Sequence, residues 1–177
     1  MKKREEKFKI RKSSIDGLGA FAVRPIKKGE LICLMKGEII SVAELKKRYD
    51  AGLERRSDPL QIGEAEYLDL DEPYVLINHS CEPNSFIKNK NELVAIKDIK
   101  LNEEITYDYS ATEWSDDASW ERYDEYEWTI ECHCPSPLCR KIIREFRFLP
   151  EDVHRRYIKN GSVSKFIAEK YKRCHGK

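Results

Sequence analysis

No run of 18 consecutive apolar residues occurs in the 177-residue chain, so no membrane-spanning helix and no membrane partner are expected. Neither sign of charge is in excess. Lys plus Arg number 33 and Asp plus Glu 32, a balance that argues against a basic nucleic-acid binder and makes direct nucleic-acid contact unexpected. Met1-Lys2-Lys3-Arg4-Glu5-Glu6 is followed by no apolar stretch, so a secretory leader is not expected and cytoplasmic residence is (nuclear or chromatin-associated in a eukaryote). Internal repeats and low-complexity tracts are also missing. Ser80 adjoins His79, but no nucleophile-elbow pattern surrounds it, so a Ser-His-Asp hydrolase is not indicated.

What is present is a heavily charged, one-domain chain with 37% charged and 40% hydrophobic residues. Phe8 and Ile10 alternate with polar residues as in a first strand. Asp16-Gly17-Leu18-Gly19 is turn chemistry, and residues 20–24 read as a strand. Residues 30–41 read as one or two buried strands interrupted at Gly37. Ser41-Val42-Ala43-Glu44 has capping-box spacing, predicting a helix that ends before Gly52. Short strands follow at 60–62 and 67–70, then a hairpin of 85–87 and 93–96 around Asn89-Lys90-Asn91, then a last strand over 105–109. Residues 110–131, with Trp114, Trp120 and Trp128, have the composition of a linker that folds over something. Two helices, 151–159 and 164–173, are separated by Gly161. Many short strands and few helices give a mainly β fold.

Three blocks carry chemistry. The first is Asn78-His79-Ser80-Cys81-Glu82-Pro83-Asn84; the second is Glu103-Glu104-Ile105-Thr106-Tyr107-Asp108-Tyr109; the third is Cys132-His133-Cys134 with Cys139. Each has a bland alternative. Gly17 and Gly19 fit a tight turn with a positive φ. Asn78-His79 fits a turn cap. Tyr107 and Tyr109, two apart, share a face if the segment is a strand, and buried tyrosines in strands are common. Three clustered thiols in a reducing compartment are a stronger signal, for metal ligands rather than disulfides. Tetrahedral zinc wants a fourth ligand, and His133 is one candidate although it lies between two ligand cysteines. Cys33 reads as a core residue and Cys174 as a free thiol of the tail.

In this order the three blocks resemble the signature of the SET-domain protein-lysine N-methyltransferases, over roughly residues 8–145. The resemblance implies a SET fold of several small β-sheets with a pseudoknot-like threading near its C-terminal end. It divides the chain into a SET domain (8–110), a linker (111–131), a post-SET zinc-binding segment (132–148) and a helical tail (149–177). It implies S-adenosylmethionine as methyl donor, bound by Gly17, Leu18, Gly19, Asn78, His79 and Tyr109, with His79 a binding residue and not a base. Tyr109 matches the catalytic tyrosine, and Tyr107 matches a position that tunes how many methyl groups the lysine receives. The post-SET motif takes its fourth zinc ligand from the NHSC cysteine, which gives Cys81, Cys132, Cys134 and Cys139. The partner is a lysine-containing protein, with a histone or basic chromosomal protein in view; Asp116, Asp117, Glu121, Asp124, Glu125 and Glu127 are a candidate attraction for a lysine-rich peptide.

The chain departs from the pattern in places. Met35 stands where many members have a tyrosine two positions before Gly37, and Lys141-Ile142-Ile143 replace a glycine and a bulky residue after the last cysteine, with Ile142 or Ile143 left to pack on the cofactor. No cysteine-rich segment precedes residue 8, as in compact stand-alone members of prokaryotes. The rival reading is a catalytically inactive, zinc-stabilised interaction module, which would bind S-adenosylmethionine weakly or never turn it over. No role is assigned to the tail helices beyond packing or a dimer contact.

Overall fold

A computed structural model describes residues 6–55, 57–115 and 128–175. The N-terminal Lys2-Lys3-Arg4 cluster and the acidic residues of 116–127 lie outside that range. Among the described residues eleven strands run in chain order: β1 (Phe8–Lys12), β2 (Leu18–Ala22), β3 (Leu31–Leu34), β4 (Gly37–Ser41), β5 (Pro59–Gln61), β6 (Glu66–Leu70), β7 (Ser85–Lys88), β8 (Glu92–Ala95), β9 (Glu104–Ile105), β10 (Thr129–Glu131) and β11 (Ile142–Arg144). The α-helices of the described residues are α1 (Val42–Asp50), α2 (Glu151–Asn160) and α3 (Lys165–His175). The strands form three small three-stranded sheets, β1-β2-β9, β3-β8-β7 and β4-β6-β5, and the separate ribbon β10-β11. Every pair is antiparallel. Among the described residues no helix is long and apolar enough to cross a membrane.

Local chemistry accounts for several boundaries. The Ser41 side chain accepts the Glu44 backbone N–H, so the capping box starts α1 where its spacing predicts. The β7–β8 hairpin turns at Asn89, whose φ of 56° lies in the left-handed region that asparagine tolerates. Gly161, with φ 61°, ends α2 in the left-handed conformation. Gly37 opens β4 so close to β6 that an added Cβ would meet the Asp69 carbonyl.

The main core lies between the three sheets, and its fully buried members include Ile26, Met35, Leu60, Ile77, Leu93, Ile99 and Ile105. Met35 therefore fills core space. The Asn91 side chain holds its backbone carbonyl at 2.8 Å, and its N–H donates to the Asn91 carbonyl at the same distance.

The expected strand over 105–109 is shorter. Pairing in the sheet ends at Ile105; Tyr107 makes a single parallel bridge with His79, and Tyr109 opens a 3-10 helix, Tyr109–Thr112. Asp108 causes the break, because its carboxylate accepts the Ser110 backbone N–H at 3.0 Å and caps the turn. The segment still lies along 78–85. Tyr107 N–H donates to the Asn78 carbonyl, Ser80 N–H to the Tyr107 carbonyl and Ser85 N–H to the Thr106 carbonyl. Asn84 completes the stitch, accepting the Thr106 N–H at 2.9 Å and donating to the Glu104 carbonyl at 2.7 Å. This crossing of two distant segments stands where the resemblance implies a pseudoknot-like threading.

A second core covers the C-terminal side. Phe146, Tyr157, Val163 and Ile167 pack there with Ala111 and Trp114. Residues 111–115 are thus a packed part of the tail's core rather than a linker. Gln61 of β5 clamps the Trp114 backbone, accepting its N–H at 2.7 Å and donating to its carbonyl at 3.2 Å.

Candidate active site and cysteine cluster

A cleft of about 180 Å³, partly open to solvent, runs along the chain crossing. Gly17, Leu18, Asn78, His79 and Tyr109 line it, joined by Ile130, Cys132 and Ile143 from the C-terminal segment. Five of the seven residues expected at the site thus converge from separate parts of the sequence. Gly19 and Tyr107 are not on its wall.

Gly19 acts one layer behind. A Cβ there would stand 2.2 Å from Glu104 Oε1 and 3.0 Å from Asn78 Nδ2. The space a side chain would fill is needed by a partly buried polar cluster. Glu104 accepts from Asn78 Nδ2 at 2.8 Å and from Ser13 Oγ at 2.9 Å. Asn78 Nδ2 also lies 2.9 Å from the Leu18 carbonyl and 3.2 Å from that of Asp16. Asn78 therefore shapes the cleft by fixing the 16–18 turn. Gly17, at φ 39°, supplies the positive backbone angle that turn requires. Glu104, in the second of the three sequence blocks, thus holds Asn78 and through it the 16–18 turn, a role its place in the motif does not reveal.

Tyr109 donates its hydroxyl to the Ile77 carbonyl at 2.9 Å. Burial, with the Asp58 and Asp16 carboxylates adding to it, pushes its pKa well up, so the group is a neutral hydroxyl at any physiological pH. With its proton turned to Ile77, its oxygen is left as an acceptor. Tyr107 packs behind it, ring centroids 4.8 Å apart, and burial also raises its pKa. Asp58 and Arg55 form an ion pair of 2.9 Å on the cleft wall, from a loop whose sequence reads only as charged.

His79 is buried, and burial lowers its pKa to about 4 against the opposing pull of Asp108, so the ring is neutral. Its Nδ1 accepts the Tyr109 backbone N–H at 3.2 Å. Asp108 Oδ1 stands 3.4 Å from the same nitrogen, but that longer approach offers no proton. A neutral imidazole with an accepting Nδ1 carries its hydrogen on Nε2, and Nε2 lies 3.3 Å from Cys81 Sγ. His79 is thus a donor to the Cys81 sulfur.

The sulfurs gather beside the cleft. Cys81 and Cys132 are 3.8 Å apart and Cys132 and Cys139 3.6 Å. Cys134 accepts the Cys81 backbone N–H at 3.5 Å. Four thiolates around zinc at about 2.3 Å each would stand about 3.8 Å from one another, and the Cys81–Cys132 and Cys132–Cys139 spacings match that edge. Among the described residues, the ligand atoms of His79, Cys81, Cys132 and Cys134 all lie within 4.8 Å of one another. The rival to Cys139 in space is therefore His79 and not His133, which is exposed and sits 3.3 Å from Glu131. The proton on His79 Nε2 decides between them, since a protonated nitrogen has no lone pair for a metal. Burial tends to raise the Cys134 thiol, yet the Cys81 and Ser136 backbone N–H groups and the neighbouring thiols bring it down to about 7. Ile143 is buried and on the cleft wall, whereas Ile142 is exposed. Cys33 packs against the main core, and burial pushes its thiol up to about 12; Cys174 is exposed.

Comparison with known proteins shows the family. The SET domain family matches residues 17–110. The chain belongs to the SET-domain family. It is 33% identical over 149 residues to the variant-silencing SET domain-containing protein of Plasmodium falciparum, covering 75% of this chain and 5% of that protein. It is 27% identical over 161 residues to histone-lysine N-methyltransferase set1 of Dictyostelium discoideum, covering 81% and 10% of the two chains. With the probable histone-lysine N-methyltransferase set-23 of Caenorhabditis briggsae it shares 28% identity over 157 residues, covering 78% and 61%. The chain therefore spans less than two thirds of the length of each of these relatives.

Proposed function

We propose that the protein transfers methyl groups from S-adenosylmethionine to the side-chain amine of lysine in a protein substrate, with histones or other basic chromosomal proteins as the substrate class. We assign one Zn²⁺ to Cys81, Cys132, Cys134 and Cys139. The observation that carries this reading is the convergence of Gly17, Leu18, Asn78, His79 and Tyr109 on one cleft beside the cysteine cluster. The names of the relatives support the reaction and the histone class. The place of action is the cytoplasm, or chromatin in a nucleated cell.

S-adenosylmethionine, when bound, supplies a methyl group on a positively charged sulfonium. The chain's residues meet three further needs. The cleft is concave and partly open, and it sets apolar Leu18, Val75, Ile130 and Ile143 beside polar Asp16, Asn78 and Asp58, the mixed lining of a small-molecule site. The nucleophile must be a neutral amine, although free lysine, with a pKa of about 10.4, is charged at neutral pH. A channel poor in water disfavours the ammonium by desolvation, so no strong base is required. The neutral, buried His79, whose ring nitrogens are engaged with Tyr109 and Cys81, is not suited to be one.

Alignment is the third need. The Tyr109 oxygen, with its own proton on Ile77, offers lone pairs to the methyl hydrogens or the amine N–H, and near-attack positioning supplies much of the rate. Tyr107 limits the number of methyl groups through its hydroxyl. Zinc, when bound, supplies a rigid tie rather than chemistry at the methyl group, pinning β10-β11, and with it Ile130 and Ile143, against the cleft. Calorimetric titration with S-adenosylmethionine, followed by transfer of labelled methyl to core histones and to a lysine-peptide array, tests the reading. Binding with transfer to lysine is the expected result. No binding and no transfer would leave the inactive interaction module.

A further inference from the structure

Asp108 stands between the two active-site tyrosines and is 2% exposed. A buried carboxylate is costly unless each oxygen has partners. Oδ1 accepts the Ser110 backbone N–H at 3.0 Å and Arg140 Nη2 at 2.7 Å. Oδ2 accepts the same Arg140 nitrogen at 2.9 Å and the Tyr157 hydroxyl at 2.6 Å. Three segments meet on this one side chain. Ser110 belongs to the turn that Tyr109 opens; Arg140 follows Cys139, and its backbone N–H donates to Cys81 Sγ at 3.3 Å; Tyr157 comes from α2 in the tail.

The Tyr157 ring belongs to the second core, 6.5 Å from the Phe146 ring, and a phenylalanine would fill that space equally well. The hydroxyl is the part that packing does not require. It is spent on Asp108, 49 residues away, next to the residue assigned to methyl transfer. We infer that Tyr157 is a positioning residue for methyl transfer, its hydroxyl fixing Asp108, which in turn fixes the backbone turn that aims Tyr109. The C-terminal helix pair is then part of the frame of the active site. The inference rests on the methyltransferase reading for its effect on rate, but not for the coupling itself. A charge-assisted bond in a dry site is worth enough to hold a supporting side chain in one orientation.

The test uses the full chain with Tyr157→Phe, and Tyr171→Phe as control, since Tyr171 packs on the same Phe146 ring. Tyr157→Phe is expected to lower kcat about tenfold, the scale of one hydrogen bond to a charged group, and to leave KM for donor and substrate within about twofold. Hydrogen exchange at the Ser110 amide should speed about tenfold in Tyr157→Phe and stay unchanged in Tyr171→Phe. Should Tyr157→Phe not fold, Arg140→Lys, which keeps the charge but loses the planar fork, is read the same way. An unchanged Ser110 exchange rate overturns the inference, and so does a kcat loss no larger than the control's. If the wild type transfers no methyl group, it is the reaction that fails, and exchange alone decides whether Tyr157 holds the Tyr109 turn.

Discussion

The backbone N–H of Tyr109 donates to Nδ1 of His79 at 3.2 Å, and this one bond settles the chemistry of both residues. It fixes the His79 tautomer, directs the other ring nitrogen at the Cys81 sulfur, and anchors the start of the turn that carries the tyrosine hydroxyl. The Tyr109 turn and the cysteine cluster are thereby joined through a single buried imidazole.

Tyr109→Phe removes the oxygen while keeping the ring and the backbone bond to His79. Turnover is expected to fall about 100-fold or more, the scale for losing one aimed polar group in a dry site. Donor affinity should stay near wild type, because the aromatic ring that lines the cleft is kept. A single-turnover assay beside a calorimetric titration separates the two, and wild-type rate in the variant would sink the assignment of Tyr109.

The metal prediction discriminates between two residues. Protein purified without chelator should carry one zinc per chain; Cys81→Ser and Cys139→Ser should lose it, and His79→Gln should keep it. Metal analysis of the four proteins decides. Zinc retained in Cys139→Ser and lost in His79→Gln would exchange their roles. Chelation should free residues 128–144 and lower activity without melting the main core, since that core holds none of the four cysteines.

Gly19→Ala places a methyl group 2.2 Å from Glu104 Oε1 by ideal geometry, closer than any real contact. Glu104 must then move, and Asn78 loses an acceptor that holds the 16–18 turn. Donor affinity should weaken about tenfold or more, with a loss of stability of about 1–3 kcal/mol from overpacking. Calorimetry and chemical denaturation measure the two effects. Unchanged donor affinity would show that the turn is held independently of this cluster.

Much of the molecule was legible because its chemistry is local or carried by a dense motif. The capping box at Ser41, the hairpin around Asn89 and the stop at Gly161 are each set by a few adjacent residues. The Asn78–Asn84 block is legible as a unit because both its asparagines bond to distant backbone, leaving little freedom in residue type. Long-range partners were hidden. Nothing near Tyr157 in the sequence indicates Asp108, and Trp114 looks like a linker aromatic until the tail core closes around it. The strand expected over 105–109 failed because an aspartate between two tyrosines prefers to cap its own turn. His79 as the spatial rival of Cys139 needed three dimensions, since spacing alone put His133 in that place.

Tyr107→Phe is expected to shift the product from mono- or dimethyl-lysine toward higher methylation. The ring packs on Tyr109, and removing only its hydroxyl keeps that contact. The loss removes a hydrogen-bonding anchor for the amine or a water, which frees the volume a further methyl needs. Mass spectrometry of one substrate lysine over time reads the outcome. Predominant trimethylation by the wild type, unchanged in the variant, would remove Tyr107 from this role.

Glu113 predicts how stability depends on pH. It is buried where the tail core meets β6, and accepts the Tyr67 hydroxyl at 2.6 Å. Burial raises its pKa from the ordinary 4.5 to about 8, with Glu145 adding to the rise and Ser115, Tyr67 and Lys170 opposing it. Between those two values the folded chain keeps a proton that the unfolded chain has released. The native state then binds more protons, so this group makes stability fall as pH rises from about 4.5 to about 8, and the fall levels off above that. Glutamine has the same shape and an oxygen that accepts from Tyr67, but no proton to lose. Glu113→Gln should therefore flatten the decline and stabilise the protein by about 1–3 kcal/mol at pH 8 relative to wild type, on a scale of about 1.4 kcal/mol for each unit of pKa shift. At pH 5 the two proteins should differ far less. Chemical denaturation of both across pH 5 to 8.5 is the measurement. A wild type that gains stability through this window, with the variant parallel to it, would mean that Glu113 is ionised in the fold and that Lys170 and the hydroxyls outweigh burial.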